Sequence, residues 1–550
     1  MFHDTRELGD GGRVEADVCV VGAGAAGIAI AHELQGRPLR VAVLTSGGLD
    51  FHREAQKLYA GESVGRPAFS PYRSRVRMYG GSTTAWAGQC RPLERLDFER
   101  RDWVPHSGWP LSKEELQPYY RRAQRVSQLG PYDYDPDYWA SDGCGVLPVD
   151  RDTLDVRAYQ FSHPVDFGKV YRDELAASRN VDVYLHANVV DIEVEPDARK
   201  VSSLQVATLN GQRLQFVAKH YVLACGGLEN PRILLASNRV ASDGLGNGHD
   251  LVGRFYTDHP FHYGGYFDPA HAAFDRTLHV IEDYARVGSQ QRAHVALALP
   301  EETIRREQLN DCAVYFVRRP SYKIQPAYFR SGMRSLAQLA DTVRRQDLPN
   351  GSAWEEVRTV ARGLPDVSRV FARRLVESVR PRRRLALRTA LEATPNPDSR
   401  VTLSARRDRF GVPQVRLDWR VNRDDQRGMR RLYEIIRAEC ARTGIGRLVE
   451  NREVDDDGWP VSMTSGMHHM GTTRMHDDPR RGVVDAECRV HDMANLYVAG
   501  SSVFPTGGVA NPTLTIVALA IRLADHLLRV AGEGIRVAGG VTADGEKSFE

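Results

Sequence analysis

The segment DVCVVGAGAAG (residues 17–27) joins a short β-branched run to three glycines, and an alanine-rich helical pattern follows it to Leu34. Gly22, Gly24 and Gly27 form the spacing GxGxxG between a predicted strand and a predicted helix. In this setting the first glycine permits a tight turn, the second lets backbone approach a pyrophosphate, and the third lets helix and strand pack closely. The segment therefore predicts a dinucleotide-binding site, and the alternative is a packing turn of small residues. The helix start adds Ala25 and Ala26 to this predicted site.

A second strand is predicted at residues 40–44. At the end of this strand a dinucleotide-binding fold usually carries an acidic residue, which holds the ribose hydroxyl groups. Here the position is Thr45, and Ser46 follows it. A hydroxyl group can still bond to a ribose, but one charge-assisted hydrogen bond is lost. We therefore expect weaker retention of the cofactor than is usual.

Two further segments have the composition of cofactor-binding loops. Residues 77–88 (RMYGGSTTAWAG) are too rich in glycine and small hydroxyl residues for a helix, and Trp86 is expected to be buried among them. A predicted strand at 221–224 leads into CGGLENPR (225–232), which repeats the order of strand, glycine turn and helix. The residues predicted to contact the cofactor in and near these segments are Gly80, Gly81, Ser82, Thr83, Ala85, Trp86, Ala87, Gly88, Val189, Ala224, Gly226 and Asn230.

Residues 468–528 bring a histidine, a buried strand and a helix start together. His468 stands beside a Gly-Thr turn, and residues 495–499 are apolar. Asn511-Pro512 then opens a helical pattern, because Asn caps helices and Pro is tolerated at the first helical position. The free amides of such a helix start attract an anion or an electron-rich ring. The predicted cofactor contacts in this stretch are Gly500, Ser501, Asn511, Pro512 and Thr513.

Composition excludes several classes of protein. The chain has 550 residues, of which 42% are hydrophobic and 26% charged, so two or three domains or one large α/β unit are expected. Its 74 basic and 71 acidic residues nearly balance, which does not favour a nucleic-acid partner. We find no secretory signal and no transmembrane segment. The seven cysteines show no metal-binding or haem-attachment spacing, so no metal is predicted and a cytoplasmic location is the simplest expectation.

The middle of the chain has a different pattern. Segments 262–267, 293–299 and 313–317 alternate as strands of a second sheet do. Residues 333–388 are predicted to be helical and are rich in arginine. Such a charged run is usually a solvated helix face, and a lid or a docking surface is the alternative. Ser112 and Glu115 predict a capping box at the start of an earlier helix.

Together these motifs resemble the glucose–methanol–choline (GMC) family of flavin-dependent alcohol oxidoreductases. The matching segments run in the family's order along nearly the whole chain: VGAGAAG (21–27), GGSTTAW (80–86), ACGGLENPRILL (224–235), VGRFYTDHP (252–260), PNPDSRVTL (395–403), HHMGTTRM (468–475) and NLYVAGSSVFPTGGVANPTLTIVALA (495–520). They are most similar to the sugar-oxidising branch, which includes pyranose oxidases and bacterial sugar dehydrogenases.

The resemblance implies an α/β fold with a Rossmann-like FAD-binding domain that is split along the chain. A second α+β domain, built on a mostly antiparallel sheet, is expected to bind the substrate. The predicted domain boundaries are 15–260 for the first part of the FAD-binding domain, 261–460 for the substrate-binding domain with its Arg-rich insertion at 333–388, 461–530 for the return to the FAD-binding domain, and 531–550 for a polar tail.

The resemblance also implies the catalytic residues. The family's HxxGT pattern falls on His468, and the second active-site position falls on Asn511. His469 is out of this register and is interpreted as structural, because neighbouring side chains do not share a direction. Some members carry a histidine bonded to the flavin just before the tryptophan of the GGS segment, where this chain has Ala85. We therefore predict FAD that is not covalently bound.

The expected reaction is oxidation of a secondary hydroxyl of a sugar or glycoside to a carbonyl, with hydride passing to flavin N5. His468 would take the hydroxyl proton, and Asn511 would both cap the helix and donate to the substrate oxygen. The electron acceptor would be molecular oxygen or another molecule. Three alternatives stay open: an oxidase of a non-sugar primary alcohol, a non-redox lyase on the same scaffold, and a binding protein without the chemistry.

Overall fold

The computed structural model describes residues 1–66, 69–139, 149–162, 166–270, 292–317, 385–455 and 458–538. In these parts of the chain the strands form three sheets, two large and one small. The first sheet is mixed and is built around the glycine-rich N-terminal segment, whereas every described pairing in the second sheet is antiparallel. The predicted fold class, a Rossmann-like α/β unit combined with a mostly antiparallel sheet, is confirmed.

The first sheet has five neighbouring strands that run parallel, and a parallel strand from the C-terminal region joins its centre. In spatial order its strands are β1 (Phe2–Asp4), β7 (Val181–Leu185), β3 (Val41–Leu44), β2 (Gly12–Val21), β10 (Arg213–Leu223), β9 (Val201–Ala207) and β8 (Asn188–Val194), and β19 (Leu496–Val498) pairs with β10. The chain therefore returns to its first sheet some 270 residues after leaving it through β10.

Glycines make the close packing at the start of this sheet possible. Gly22 directly follows β2 with φ at +109°, and a Cβ atom there would lie 2.5 Å from the carbonyl oxygen of Ala224. A Cβ on Gly27 would lie only 1.8 Å from the carbonyl oxygen of Gly22. The helix that follows, α1 (Ala25–Leu34), can thus pack on the sheet only with glycine at the third position of the motif.

The second sheet collects strands from widely separated parts of the chain. Its spatial order is β17 (Gly446–Glu450), β11 (Pro260–Pro269), β14 (Leu385–Leu391), β13 (Cys312–Val317), β12 (Arg292–Ala298), β6 (Asp155–Phe161) and β5 (Gln89–Cys90), and β18 (Thr464–Ser465) pairs with β11. Strands β5 and β6 precede residue 260 but belong to this sheet. The small third sheet contains β15 (Arg400–Arg407), β16 (Pro413–Asp418) and β4 (Gly61–Ser63).

Ten α-helices are described. Their bounds are α1 as above, α2 (Arg53–Lys57), α3 (Arg95–Phe98), α4 (Lys113–Val126), α5 (Phe167–Val170), α6 (Arg172–Ala177), α7 (Glu229–Ala236), α8 (Glu301–Glu307), α9 (Gln426–Thr443) and α10 (Thr513–Ala538). The capping box predicted for Ser112 and Glu115 is confirmed at the start of α4. No helix in these described ranges is long and apolar enough to cross a membrane.

Two predictions about the ends of elements need correction. Residues 385–388 were expected to close an Arg-rich helical region, but they lie in strand β14, where Arg388 pairs with Tyr263 and Tyr315. The earlier part of that region, up to residue 384, lies outside the described residues. Helix α10 begins at Thr513 and continues to Ala538, so it runs into the predicted polar tail.

Candidate active site

The parallel strands of the first sheet end at one edge, where most of the predicted cofactor contacts lie. Gly22 follows β2, Thr45 follows β3, Ala224 follows β10, and Gly500 comes just after β19. Because parallel strands present their carboxyl ends on the same side, these positions are neighbours in space. In open α/β sheets ligands bind at this edge.

Three glycines open onto space along this edge. A Cβ atom built on Gly24, Gly226 or Gly500 would meet no protein atom within 4 Å. Gly24 also precedes α1 without a side-chain capping bond, so the first amides of that helix have no partner within it. An edge that is open at three backbone positions and carries a helix N-terminus fits a pyrophosphate and a planar ring system.

The GGSTT segment lies against the glycine turn. The amide of Gly80 donates to the carbonyl oxygen of Ala23 at 2.9 Å, and residues 81–84 form a short 3-10 turn. Ala85 and Ala87 expose their side chains, while Trp86 is half-buried against Phe167. Trp86 is thus less buried than its small neighbours suggested. Of the remaining predicted contacts here, Ser82 and Thr83 belong to this turn, and Gly88, four residues after it, accepts from the amide of Ser162.

Some of the predicted cofactor residues use their polar groups within the protein. Asn230 is fully buried, and its Nδ2 donates to the carbonyl oxygen of Ala499 and to Ser502 Oγ, at 3.2 and 2.9 Å. Its Oδ1 accepts from the amide of Cys225 at 2.8 Å. Both amide hydrogens of Asn230 are therefore used to join the end of β10 to the segment after β19.

Thr45 and Ser46, which are predicted to contact the ribose, also make hydrogen bonds within the protein. Ser46 Oγ donates to Asn188 and accepts from Arg77 Nε, so its hydroxyl already has two partners. Thr45 is buried and bonds through its backbone to Tyr184 and Ala187. Val189 lies two residues beyond Ala187 on strand β8, which brings it to the same edge.

His468 and Asn511 face one another. Nδ2 of Asn511 lies 3.5 Å from Nε2 of His468, although 43 residues separate them in the chain. Helix α10 begins two residues after Asn511, and its first intrahelical bond runs from the amide of Ile516 to the carbonyl oxygen of Pro512. In the described part of the chain the bond that Asn511 makes through its side chain goes to His468 and not to a helix amide.

A buried carboxylate fixes the backbone on both sides of this histidine. Asp258 accepts hydrogen bonds from the amides of His259 at 2.7 Å and His468 at 2.9 Å. It also accepts from the amide of Met467 and from Ser465 Oγ. Although these bonds favour the ionised form, burial raises the pKa of the Asp258 carboxyl to about 6. Asp258 therefore holds residues 259 and 468 at a fixed separation.

The side chains of those two residues are in direct contact. Nδ1 of His259 lies 2.8 Å from Nδ1 of His468, and Nε2 of His259 lies 3.3 Å from the carbonyl oxygen of Gly507. A carbonyl oxygen can only accept, so His259 carries its hydrogen on Nε2 and accepts on Nδ1. His468 must then carry its hydrogen on Nδ1. This assignment from the hydrogen-bond network leaves the lone pair of His468 on Nε2, toward Asn511.

Electrostatics keeps both rings neutral. Burial, the neighbouring His259 and the guanidinium of Arg388 hold the pKa of His468 well below its usual range. Burial lowers the pKa of His259 to about 4. At neutral pH the pair is therefore uncharged, as the hydrogen-bond pattern requires.

His469 points elsewhere. Its Nδ1 lies 2.9 Å from Tyr256 Oη, its Nε2 lies 3.0 Å from Ser74 Oγ, and its ring stacks on Phe69. Both ring nitrogens are therefore engaged, and burial lowers the pKa of His469 to about 3. The Oγ of Ser501 donates to the backbone carbonyl of His469, which further ties this residue to the scaffold.

Comparison with known proteins identifies the family of this chain. Residues 17–344, more than half of the chain, match the family described as FAD dependent oxidoreductase, and residues 395–520 match the family described as GMC oxidoreductase. The chain belongs to the FAD-dependent oxidoreductases, and its C-terminal part carries a GMC oxidoreductase domain. This FAD-dependent oxidoreductase is thus an enzyme with FAD as its cofactor, and the glycine-lined edge described above fits that cofactor.

This FAD-dependent oxidoreductase is similar over nearly its whole length to several named enzymes. It is 26% identical to 6'''-hydroxyparomomycin C oxidase of Streptomyces lividus, over 93% of this chain and 92% of the relative. It is 24% identical to the fructose dehydrogenase large subunit of Gluconobacter japonicus, over 95% and 99%. The crystal structure of pyridoxine 4-oxidase from Mesorbium loti shares the fold, with a TM-score of 0.55 at 16% identity over 93% of this chain and 98% of that one.

Sequence reasoning missed the pair Asp258-His259. The segment that contains them was recognised as a family motif, but neither residue received a role. A signal was present, since an aspartate stands between the aromatic residues Tyr256 and Phe261, in a segment too apolar for a solvated carboxylate. What the sequence could not indicate is the contact between His259 and His468, which are 209 positions apart.

Proposed function

We propose that this GMC oxidoreductase oxidises a secondary hydroxyl of a sugar or glycoside to a carbonyl, with His468 as the base. The observation that carries the proposal is the lone pair on His468 Nε2, 3.5 Å from the side-chain amide of Asn511. Two groups in this arrangement can share one substrate oxygen, since one accepts its proton and the other donates to it.

The proton passes from the substrate hydroxyl to Nε2 of His468. The positive charge that develops on the ring is stabilised through Nδ1–H, which donates to His259. His259 in turn donates to the carbonyl oxygen of Gly507. His259 therefore acts through His468 as a positioning residue that keeps the base in the required tautomer.

Asn511 stabilises the substrate oxygen as it loses its proton. Its Nδ2 donates to the developing alkoxide, and removal of one such donor typically costs about 10²–10³-fold in rate. The first amides of α10 follow directly and add a positive end to the same region. When bound, FAD supplies the acceptor for the hydride that leaves the same carbon.

The similar enzymes support this type of substrate. Their names record oxidation of 6'''-hydroxyparomomycin C and dehydrogenation of fructose. Ala85 has no side chain that can bond to a flavin, so the proposal includes FAD that is held without a covalent bond. Molecular oxygen or another acceptor would take the electrons from the reduced cofactor.

Anaerobic reduction of the flavin tests the proposal. We expect at least one of a panel of sugars, glycosides and polyols to bleach the visible absorbance of the purified yellow protein. His468→Gln should keep its FAD and slow this reduction by about 10²–10⁴-fold, because the glutamine offers no basic nitrogen. Unchanged reduction in this variant would exclude His468 as the base. If no compound of the panel bleached the flavin, the proposed function itself would be contradicted.

A further inference from the structure

Strand β14 presents two different faces. Leu385, Leu387 and Leu391 pack into the apolar cluster that contains residues of α9, and Thr389 bonds to Tyr433 of that helix. Side chains alternate along a strand, so Ala386, Arg388 and Ala390 lie on the opposite face. Ala390 there packs in a cluster that includes Val509, two residues before Asn511. The face that carries Arg388 is therefore the one turned toward the catalytic loop.

The guanidinium of Arg388 is close to the proposed base. Its Cζ lies 3.9 Å from the centre of the Phe261 ring, and that ring lies 6.2 Å, centre to centre, from the ring of His468. The positive charge is one of the causes that lower the pKa of His468 and of His294. Arg388 thus stands one aromatic ring away from the reacting position.

This arginine has no counter-ion in the part of the chain that the structure describes. Most buried arginines among the described residues are paired; Arg101 with Glu392 and Arg157 with Asp311 are two examples. Arg388 is half-buried, and its described partner is the face of Phe261. Stacking on a ring leaves the N–H groups at the edge of the guanidinium free to donate.

From these contacts we infer that Arg388 binds an anionic group of the substrate, and that this group is a carboxylate. The inference rests on the proposed function and narrows the substrate to an alcohol that also carries an acid, such as a uronic acid glycoside. A planar guanidinium binds a carboxylate through two parallel hydrogen bonds, which would orient the substrate above the His468–Asn511 pair.

The charges around Arg388 favour a bound group with a single negative charge over a phosphate dianion. His294 is a titratable group close enough to Arg388 to feel its charge, and its pKa is lowered to about 3 by burial and by Arg388, so it is neutral. Its Nε2 lies 2.9 Å from Nε2 of Gln89, and its ring lies 5.3 Å from that of Tyr315, which pairs with Arg388 across the strands. The site thus offers one positive charge beside neutral groups, which matches a monoanion.

A probe without a hydroxyl group tests binding separately from oxidation. Cyclohexanecarboxylate and its neutral amide, cyclohexanecarboxamide, would be titrated into the oxidised holoenzyme by calorimetry. We expect the carboxylate to bind about 10- to 100-fold more tightly, as is typical of a hydrogen-bonded charge pair. Arg388→Gln should abolish this preference, and Arg388→Lys should keep part of it. Arg416→Gln, which removes an exposed charge from the third sheet, is the matched control.

Equal binding of acid and amide, or an unchanged preference in Arg388→Gln, would overturn the inference. Tighter binding of cyclohexyl phosphate than of the carboxylate would overturn the choice of a monoanion. A kinetic comparison of methyl glucosiduronate with methyl glucoside should show a KM about tenfold lower or more for the acid, and this advantage should be lost in Arg388→Gln. Arg388-dependent binding without bleaching by any alcohol would contradict the proposed function and leave the anion site in place.

Discussion

Nδ1 of His259 lies 2.8 Å from Nδ1 of His468, and this contact determines which nitrogen of His468 is basic. His259 itself is oriented by the carbonyl oxygen of Gly507, and the backbones of both histidines are held by Asp258. While both rings are neutral, the hydrogens of these two histidines can be placed on the ring nitrogens in only one way that satisfies every hydrogen bond. The proposed base is thus prepared before a substrate arrives.

Two substitutions of His259 test its contacts with His468 and with Gly507 one at a time. In His259→Asn the side-chain oxygen can take the place of Nδ1 and still accept from His468, whereas His259→Gln reaches the position of Nε2 and loses that acceptor. We expect the rate constant of flavin reduction to fall by about 10²–10⁴-fold in His259→Gln, as for loss of a general base, and by clearly less in His259→Asn. Anaerobic stopped-flow absorbance measures both.

The matched control for these variants is His262→Asn. His262 is as buried as His259 and bonds to Ser462, on the side of strand β11 away from His468. Its replacement should leave flavin reduction unchanged. Equal rates in His259→Asn and His259→Gln would show that the contact with His468 does not control the tautomer.

Replacement of Asn511 by alanine tests whether its side chain acts as a catalytic hydrogen-bond donor or only as a helix cap. If the side chain donates to the substrate oxygen, Asn511→Ala should slow flavin reduction by about 10²–10³-fold. If it only capped α10, the same change would cost about 1 kcal/mol of stability and little rate. Asn422, which caps a 3-10 turn elsewhere, provides the comparison, and Asn422→Ala should affect stability alone. A normal reduction rate in Asn511→Ala would remove it from the mechanism.

The cofactor should be released on denaturation. Ala85 replaces the residue that could bond to the flavin, and Thr45 replaces the acidic ribose ligand. After acid precipitation we expect the yellow colour in the supernatant, with a mass equal to that of free FAD. Colour retained in the pellet would contradict this. Thr45→Glu should increase the affinity for FAD, since it restores a charge-assisted hydrogen bond.

Buried histidines should make the stability depend on pH. Burial lowers the pKa of His262 to about 4 in the folded protein, whereas a free histidine has a pKa near 6.5. Between these values the unfolded chain binds the additional proton, so this residue's contribution to stability is present above pH 6.5 and is lost as the pH falls toward 4.

The test compares urea unfolding of the wild type and His262→Asn between pH 7 and pH 4.5. The free energy of unfolding of the variant should fall less steeply below pH 6.5, by up to about 1.4 kcal/mol per pH unit. A parallel dependence in both proteins would show that His262 is not neutral when folded.

The parts of the fold that could be predicted are those set by local rules. The GxGxxG turn, the start and end of α1 and the capping box of α4 depend on neighbouring residues, and all three are found where the sequence places them. The helix predicted for residues 385–388 is wrong. An arginine-rich segment is compatible with a helix, but here strands β11 and β13 pair with these residues on both sides and hold them in strand β14. Pairing between strands that are distant in the chain cannot be read from the local sequence pattern.

The sequence by itself determined the class of this protein, because the glycine spacing is a short-range requirement of a bound dinucleotide and the HxxGT and Asn-Pro motifs resemble those of the GMC family. Only the tertiary structure decided that Nδ1 of His468 contacts His259, which leaves the lone pair of His468 on Nε2, and that Arg388 stacks on Phe261 without a counter-ion among the described residues. Those properties depend on hydrogen bonds and burial between residues brought together from distant segments of the chain, and a pKa or a tautomer is fixed only once these neighbours are in place.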